Sequence, residues 1–191
     1  GSRFGAPLDP LDDVCIGTIG IADLVVGDLI VSEIMSNPLV TADSAGEWFE
    51  IFNTTAIPID VNGLQVRKTG GNPQFTVTVP LVIAPLDYLV FARTGVTATN
   101  GGVIEDFDYV NTFTLGDTID SIVLDNGPLE IDRVSYNGTF PNPNGSSMEL
   151  DIQNYDDVDN NIGGNWCPST TPLRAAPTDN GTPGADNQNC L

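Results

Sequence analysis

"GEWFEIFN", residues 46–53, has the composition of a β-strand, because it is rich in aromatic and β-branched residues. Strand side chains alternate between faces, so Trp48, Glu50 and Phe52 share one face, and Phe49 and Ile51 share the other. An acid between two aromatic residues is costly to bury unless it is hydrogen-bonded. The stretch therefore predicts a strand in a sheet that is covered on both faces, with Glu50 as a structural residue.

Similar short runs occupy the middle of the chain. The other candidate strands are residues 29–35, 64–68, 74–79, 88–93, 121–125, 130–136 and 147–151. Asn-Gly, a strong tight-turn signal, occurs six times, and Asn126-Gly127 is expected to connect a hairpin. No twelve-residue window keeps a period of 3.6 residues, so long helices are not expected. The pattern predicts an all-β fold, an antiparallel β-sandwich.

Two segments flank this core, giving an N-terminal extension (1–27), a sandwich (28–150) and a loop-rich C-terminal segment (151–191) of the same domain. Within the extension, residues 14–26 are apolar and β-branched and predict an extra strand. Such a strand has to pair, either with its own sandwich or with an edge of another copy. The residues expected to contribute to assembly in the second case are Ile16, Ile19, Ile21 and Val25.

The charge balance restricts the partners. The chain carries 26 acidic residues against one lysine and five arginines, for a net charge of −20. Affinity for nucleic acid depends on cations that displace counterions, so nucleic acid is not an expected partner. No apolar run is long enough to span a bilayer, and membrane insertion is not expected. Protein partners, including copies of the chain, and divalent cations fit this surface better.

Three cysteines and no histidine make a zinc site improbable. Cys167 and Cys190 bracket a loop-rich segment that a disulfide would stabilise, which favours an extracellular or cell-surface location. One cysteine, Cys15, is then left over, and an unpaired cysteine in a secreted protein suggests a disulfide to another molecule.

Catalysis is not expected. Without histidine, no serine or cysteine can be activated in the manner of a catalytic triad. Glu33 and Glu50 lie in the middle of candidate strands, and paired carboxylates serve in glycoside hydrolysis. We favour a structural role, in which one or both bind a hydroxyl or an arginine, Arg67 or Arg93, on a covered sheet face.

An acidic cluster is the candidate metal site, and no other cofactor is expected. Residues 154–161, "NYDDVDNN", place several carboxylate and amide oxygens close together, and calcium binds six to eight oxygens. The spacing does not follow the EF-hand pattern, and a solvated acidic loop is the alternative. The candidate calcium ligands are Asp156, Asp157, Asp159 and Asn161.

Several motifs together resemble the lamin-tail domain of secreted bacterial proteins. They include "LIVSEIMSNP" (29–38), "AGEWFEIFN" (45–53), "IAPLDYLVFAR" (83–93), "FPNPNGSSMELD" (140–151), "NWC" (165–167) and "GTPGADN" (181–187). The resemblance implies an immunoglobulin-like sandwich and a Cys167–Cys190 disulfide. The chain departs from eukaryotic lamin tails in being acidic, so their DNA binding is not carried over.

Three functions agree with these observations. The first is a secreted, non-catalytic structural or adhesive module that self-assembles through its N-terminal strand into a surface layer or filament. The second is an accessory module of a secreted hydrolase, either a nuclease or a phosphatase. The third is a calcium-dependent ligand-binding module.

Overall fold

The computed structural model describes residues 17–174 and 177–190, which form thirteen strands and a few single helical turns. The strands are β1 (Ile19–Gly20), β2 (Leu29–Met35), β3 (Trp48–Asn53), β4 (Ile59–Asp60), β5 (Gln65–Arg67), β6 (Pro73–Thr76), β7 (Val82–Ile83), β8 (Tyr88–Ala92), β9 (Phe107–Asp108), β10 (Asp120–Asp125), β11 (Glu130–Tyr136), β12 (Met148–Leu150) and β13 (Trp166–Pro168). The helical turns are α1 (Asp43–Gly46), η1 (Ile21–Asp23), η2 (Ile152–Asn154), η3 (Asp159–Asn161) and η4 (Gly163–Asn165).

The strands form three sheets. A six-stranded sheet has the order β13-β12-β2-β3-β8-β9, and a four-stranded sheet has the order β11-β10-β5-β6. A three-stranded sheet, β1-β4-β7, completes the fold. The two larger sheets enclose one continuous apolar core, so the predicted all-β sandwich is confirmed. In the part of the chain that the structure describes, no helix is long and apolar enough to cross a membrane.

The stretch "GEWFEIFN" (46–53) occupies the centre of the six-stranded sheet. β3 pairs antiparallel with β2 on one side and with β8 on the other. Phe49 stacks on Phe91, with ring centroids 5.1 Å apart, in the core between the sheets. Trp48 belongs to a second cluster of buried residues, so this sheet is covered on both faces, as the alternation predicted.

All eight predicted core strands are present within a few residues of their predicted bounds. Asn126-Gly127 lies in the connection between β10 and β11, where the Asn126 amide donates to the Leu129 carbonyl and Gly127 has φ +96°. A side chain rarely adopts that backbone conformation, which explains the glycine. Among the described residues, no helix exceeds four residues.

The short strands β4, β7, β9 and β13 were not predicted. They contain two or three residues each, which is too few for alternation to be recognised in the sequence. The C-terminal segment contains three single helical turns and β13, which extends the six-stranded sheet by pairing with β12. Residues 179–190 lie across the outer face of that sheet.

Candidate functional site

Three glutamates form a row across the outer face of the six-stranded sheet. Glu33 on β2 lies opposite Glu50 on β3, and on its other side it lies opposite Glu149 on β12. None of the three has any solvent-exposed surface. A bulge in β2, between Val31 and Glu33, sets this register. Without the extra residue, Glu33 would point to the opposite face.

Residues 179–190, which we call the C-terminal strap, cover this row. The Thr182 amide donates to Glu33 Oε1 at 2.8 Å, and the Gly184 amide donates to Glu50 Oε2 at 2.7 Å. The Gln188 amide donates to Glu149 Oε2 at 3.1 Å. These three amides do not belong to a strand ladder, and the carboxylates supply the acceptors that they require.

Hydroxyl groups from the sheet complete the site. Ser147 Oγ donates to Glu33 Oε1 at 2.5 Å, and Ser32 Oγ donates to Glu50 Oε1 at 2.8 Å. Thr182 Oγ1 lies 3.0 Å from Glu149 Oε1 and 3.2 Å from Glu33 Oε2. The structural interpretation of Glu33 and Glu50 is therefore supported, with hydroxyls and backbone amides as partners.

The predicted arginine partners were wrong. Arg67 pairs instead with Asp125 and Glu130 on the other sheet, and Arg93 pairs with Glu47 at 3.0 Å. Of the five ion pairs within the described residues, none includes a glutamate of the row. Arg67 and Arg93 lie near the ends of their strands, where other acids are closer.

Burial dominates the electrostatics of the row. Desolvation raises the pKa of Glu33 from the ordinary 4.5 to about 8, against the lowering effect of the Ser147 and Thr182 hydrogen bonds. Desolvation, followed by the charge of Glu33, raises the pKa of Glu50 well above its ordinary value. Acids with such values are common in active sites, but these are sealed from solvent. They lack the cleft that a substrate would need.

Two further anchors hold the C-terminal strap in place. The Asp179 carboxylate accepts the amides of Leu39, Val40 and Thr41 at 2.8, 2.9 and 3.0 Å. At the other end, the predicted Cys167–Cys190 disulfide is confirmed, with Cα atoms 5.6 Å apart. The strap is thus fixed at both ends.

Sequence reasoning did not single out Glu149, Thr182, Asn187 or Asp179. A signal existed for Glu149, which lies mid-strand in "SMELD" (147–151) as Glu33 does in "SEIM" (32–35). The motif "GTPGADN" (181–187) marked the strap as family-like, but no strand pattern relates Thr182 or Asn187 to the glutamates, because their contacts connect positions more than 30 residues apart in the chain.

The predicted calcium ligands surround the helical turn η3. Asp156 Oδ1 accepts the amide of Val158 at 2.8 Å, and Asn161 Nδ2 donates to the Asp157 carbonyl at 2.9 Å. Asp159 begins the turn, and its carbonyl accepts from Asn165 Nδ2. Within residues 17–174 and 177–190, no three acidic or cysteine side chains are grouped so that they could hold a metal ion. Calcium binding stays a prediction from the sequence, with the solvated acidic loop as its alternative.

Of the predicted assembly residues, Ile19 and Ile21 lie on their own sandwich. Ile19 pairs in parallel with Ile59 on β4. Ile19 and Ile21 are both partly buried against the core. Val25 is 61% exposed. Ile16 and Cys15 lie outside the described residues. The described part of the N-terminal strand therefore packs intramolecularly, one of the two arrangements that the sequence left open.

Comparisons with known proteins place this fold in a family. A family model described as "Lamin Tail Domain" matches residues 25–138, more than half of the 191 residues. The matched region contains Glu33 and Glu50, while Glu149 and the C-terminal strap lie beyond it. No curated protein and no solved structure matches the chain. Because the match covers most of the sandwich and the fold is of the immunoglobulin-like type, this chain belongs to the lamin tail domain family.

Proposed function

We propose that this chain is a non-catalytic interaction module of an extracytoplasmic protein and that it associates with copies of itself. The observation that carries the non-catalytic part is the burial of Glu33 and Glu50 beneath the C-terminal strap. These carboxylates are the pair that the sequence offered for acid–base chemistry. Their oxygens accept backbone amides and hydroxyls, which leaves no access for a substrate.

The disulfide supports an oxidising location. Cys167 and Cys190 fix the end of the strap, which a reducing cytosol would not maintain. The net charge of −20 keeps the surface soluble and repels nucleic acid and anionic lipid. These features together support a protein-binding role outside the cytoplasm.

The sheet β1-β4-β7 supports self-association. β1 and β7 are its outer strands, and Val82 on β7 is 51% exposed. An outer strand presents backbone groups that can pair with another chain. Residues 14–16 are also apolar and precede β1 in the sequence, separated from it by Gly17 and Thr18, so we propose that they contribute to the contact with a second copy. A head-to-tail contact of this kind yields open fibres unless its rotation closes a ring.

Light scattering and electron microscopy of the purified protein test this proposal. The full-length chain is expected to form oligomers or fibres, and a chain lacking residues 1–16 is expected to stay monomeric. This deletion spares Ile19 and Ile21, which pack on the sandwich, so the domain stays folded. Val14→Asp with Ile16→Asp should reproduce the effect of the deletion.

Val158→Asp is the matched control, because Val158 is 65% exposed on a different loop. This variant should assemble as the parent does. A full-length chain that is monomeric at high concentration would overturn the self-association proposal. The non-catalytic proposal would be overturned separately by hydrolase activity that is lost in Glu50→Gln.

A further inference from the structure

The hydroxyl of Thr182 has more neighbouring acceptors than it can serve. Thr182 Oγ1 lies 3.0 Å from Glu149 Oε1, 3.2 Å from Glu33 Oε2 and 3.2 Å from Asn187 Oδ1. A hydroxyl carries one hydrogen, whereas an ionised carboxylate and an amide oxygen only accept. With both glutamates ionised, two of the three contacts would place oxygen lone pairs against each other without a hydrogen.

The orientation of Asn187 is fixed by its other contacts. Asn187 Nδ2 donates to the carbonyls of Ser32 and Leu150 at 2.8 and 3.0 Å. Rotating the amide would point its oxygen at those two carbonyls and lose both bonds. Asn187 Oδ1 therefore stays an acceptor, and it cannot supply the missing hydrogen.

A carboxylic acid supplies one of the two missing hydrogens. A protonated carboxyl donates one hydrogen bond, so a proton on Glu33 or Glu149 could donate to Thr182 Oγ1 while the Thr182 hydroxyl donates onward. We propose that the junction of Glu33, Glu149 and Thr182 holds one proton in the folded protein, and that opening of the C-terminal strap releases this proton.

The surroundings of the junction favour the bound proton. Glu50 on β3 is the charged group that interacts with Glu33 and Glu149. Further along the covered face, Tyr88 and Tyr155 interact with Glu50, Asp186 accepts from Tyr88, and Asp151 accepts the Cys190 amide. All of these groups are acids, so none supplies a positive charge to balance two ionised glutamates. Burial raises the pKa of Glu33 to about 8, in the same direction.

Opening is expected to be local. Asp179 and the Cys167–Cys190 disulfide hold the two ends of the strap, while Thr182, Gly184 and Gln188 contact the glutamates between them. Opening would hydrate Glu33 and return its pKa toward the ordinary 4.5. Rising pH would therefore favour the open strap, which makes the strap a pH-sensitive cover of the outer sheet face.

Hydrogen exchange of the Thr182, Gly184 and Gln188 amides between pH 5 and pH 8 tests this proposal. The intrinsic rate of amide exchange also changes with pH, so each measured rate is divided by it to give a protection factor that reports opening alone. Because opening releases one proton, the opening constant should rise about tenfold per pH unit between the open-state and closed-state pKa values. Amides in the centre of β3 should show a smaller change.

Glu33→Gln and Glu149→Gln are the test variants, since a glutamine amide supplies the hydrogen without ionising. At least one of them should flatten the pH dependence. Asp132→Asn is the matched control, because Asp132 is a buried acid whose pKa is also raised, to about 7, but it contacts Asn160 and Val31, away from the strap. It should leave the strap profile unchanged.

Carbon-13 titration of the glutamate carboxyl groups in the parent protein gives a second measurement that needs no variant. It should show that Glu33 or Glu149 is still protonated at pH 6. Ionised Glu33 and Glu149 at pH 6 would overturn the proposal, as would strap protection that is independent of pH. Calcium that restores protection at pH 8 would also overturn it, because the junction would then hold a cation.

Discussion

Glu33 lies directly opposite Glu50 across β2 and β3, and both side chains are completely buried. Like charges in this position destabilise a sheet pair, and burial without solvent increases the cost. The arrangement is stable because the C-terminal strap places amides and hydroxyls against both carboxyl groups. The acids are thus the acceptors that let an irregular segment pack on a sheet face.

Gly181 should be intolerant of a side chain. A Cβ atom at this position would lie 2.7 Å from Trp48 Cζ2, so the indole ring or the strap would have to move. We expect Gly181→Val to destabilise the protein by about 1–3 kcal/mol, as overpacking of a buried site usually does. Chemical denaturation measures the change. Gly138→Ala is the control, because nothing lies within 4 Å of its Cβ position; an equal loss there would refute the packing explanation.

The Cys167–Cys190 disulfide should stabilise the chain considerably. It links cysteines 23 positions apart, and chain entropy for a loop of this size is worth about 3 kcal/mol. Reduction, or Cys167→Ser with Cys190→Ser, should lower the free energy of unfolding by about that amount. Peptide mapping without reductant should recover these two cysteines linked. Recovery of Cys15 linked to either of them would contradict the structure.

Calcium should have little effect on stability. Asp156 Oδ1 already accepts a backbone amide, and the Asp157 carbonyl already accepts from Asn161, so these oxygens serve the turn. We expect millimolar calcium to leave the melting temperature unchanged at physiological salt. A rise in melting temperature that Asp157→Ala with Asp159→Ala abolishes would contradict this expectation and establish the site, since a ligand that binds the native state stabilises it.

Much of the fold could be predicted from local patterns in the sequence. Alternation in "GEWFEIFN" predicted the central strand, both of its covered faces and the structural role of Glu50, because strand periodicity depends on neighbouring residues. The site was only partly predictable. Thr182 and Asn187 reach the sheet through an irregular segment without periodicity, so nothing in the sequence aligns them with Glu33. Arg67 and Arg93 were assigned to the wrong acids, because charge alone does not give distance.

The junction of Glu33, Glu149 and Thr182 is expected to hold one proton while the strap covers it. Because the pKa of Glu33 in the folded protein, about 8, exceeds the ordinary 4.5, the folded state keeps a proton that the unfolded state has lost between these values. The corresponding stability is fully present below pH 4.5 and is lost as pH rises toward 8. Asp132, whose pKa is raised to about 7, also makes the free energy of unfolding fall as pH rises. The effect of Glu33→Gln is therefore measured in an Asp132→Asn background.

The most direct test is the free energy of unfolding, measured by chemical denaturation from pH 5 to pH 8 in that background with and without Glu33→Gln. With Glu33 present, it should fall as pH rises, and this fall should be steeper than in the Glu33→Gln variant by up to about 1.4 kcal/mol per pH unit, the contribution of one titrating group. A free energy of unfolding that stays constant or rises over this range with Glu33 present would contradict the account.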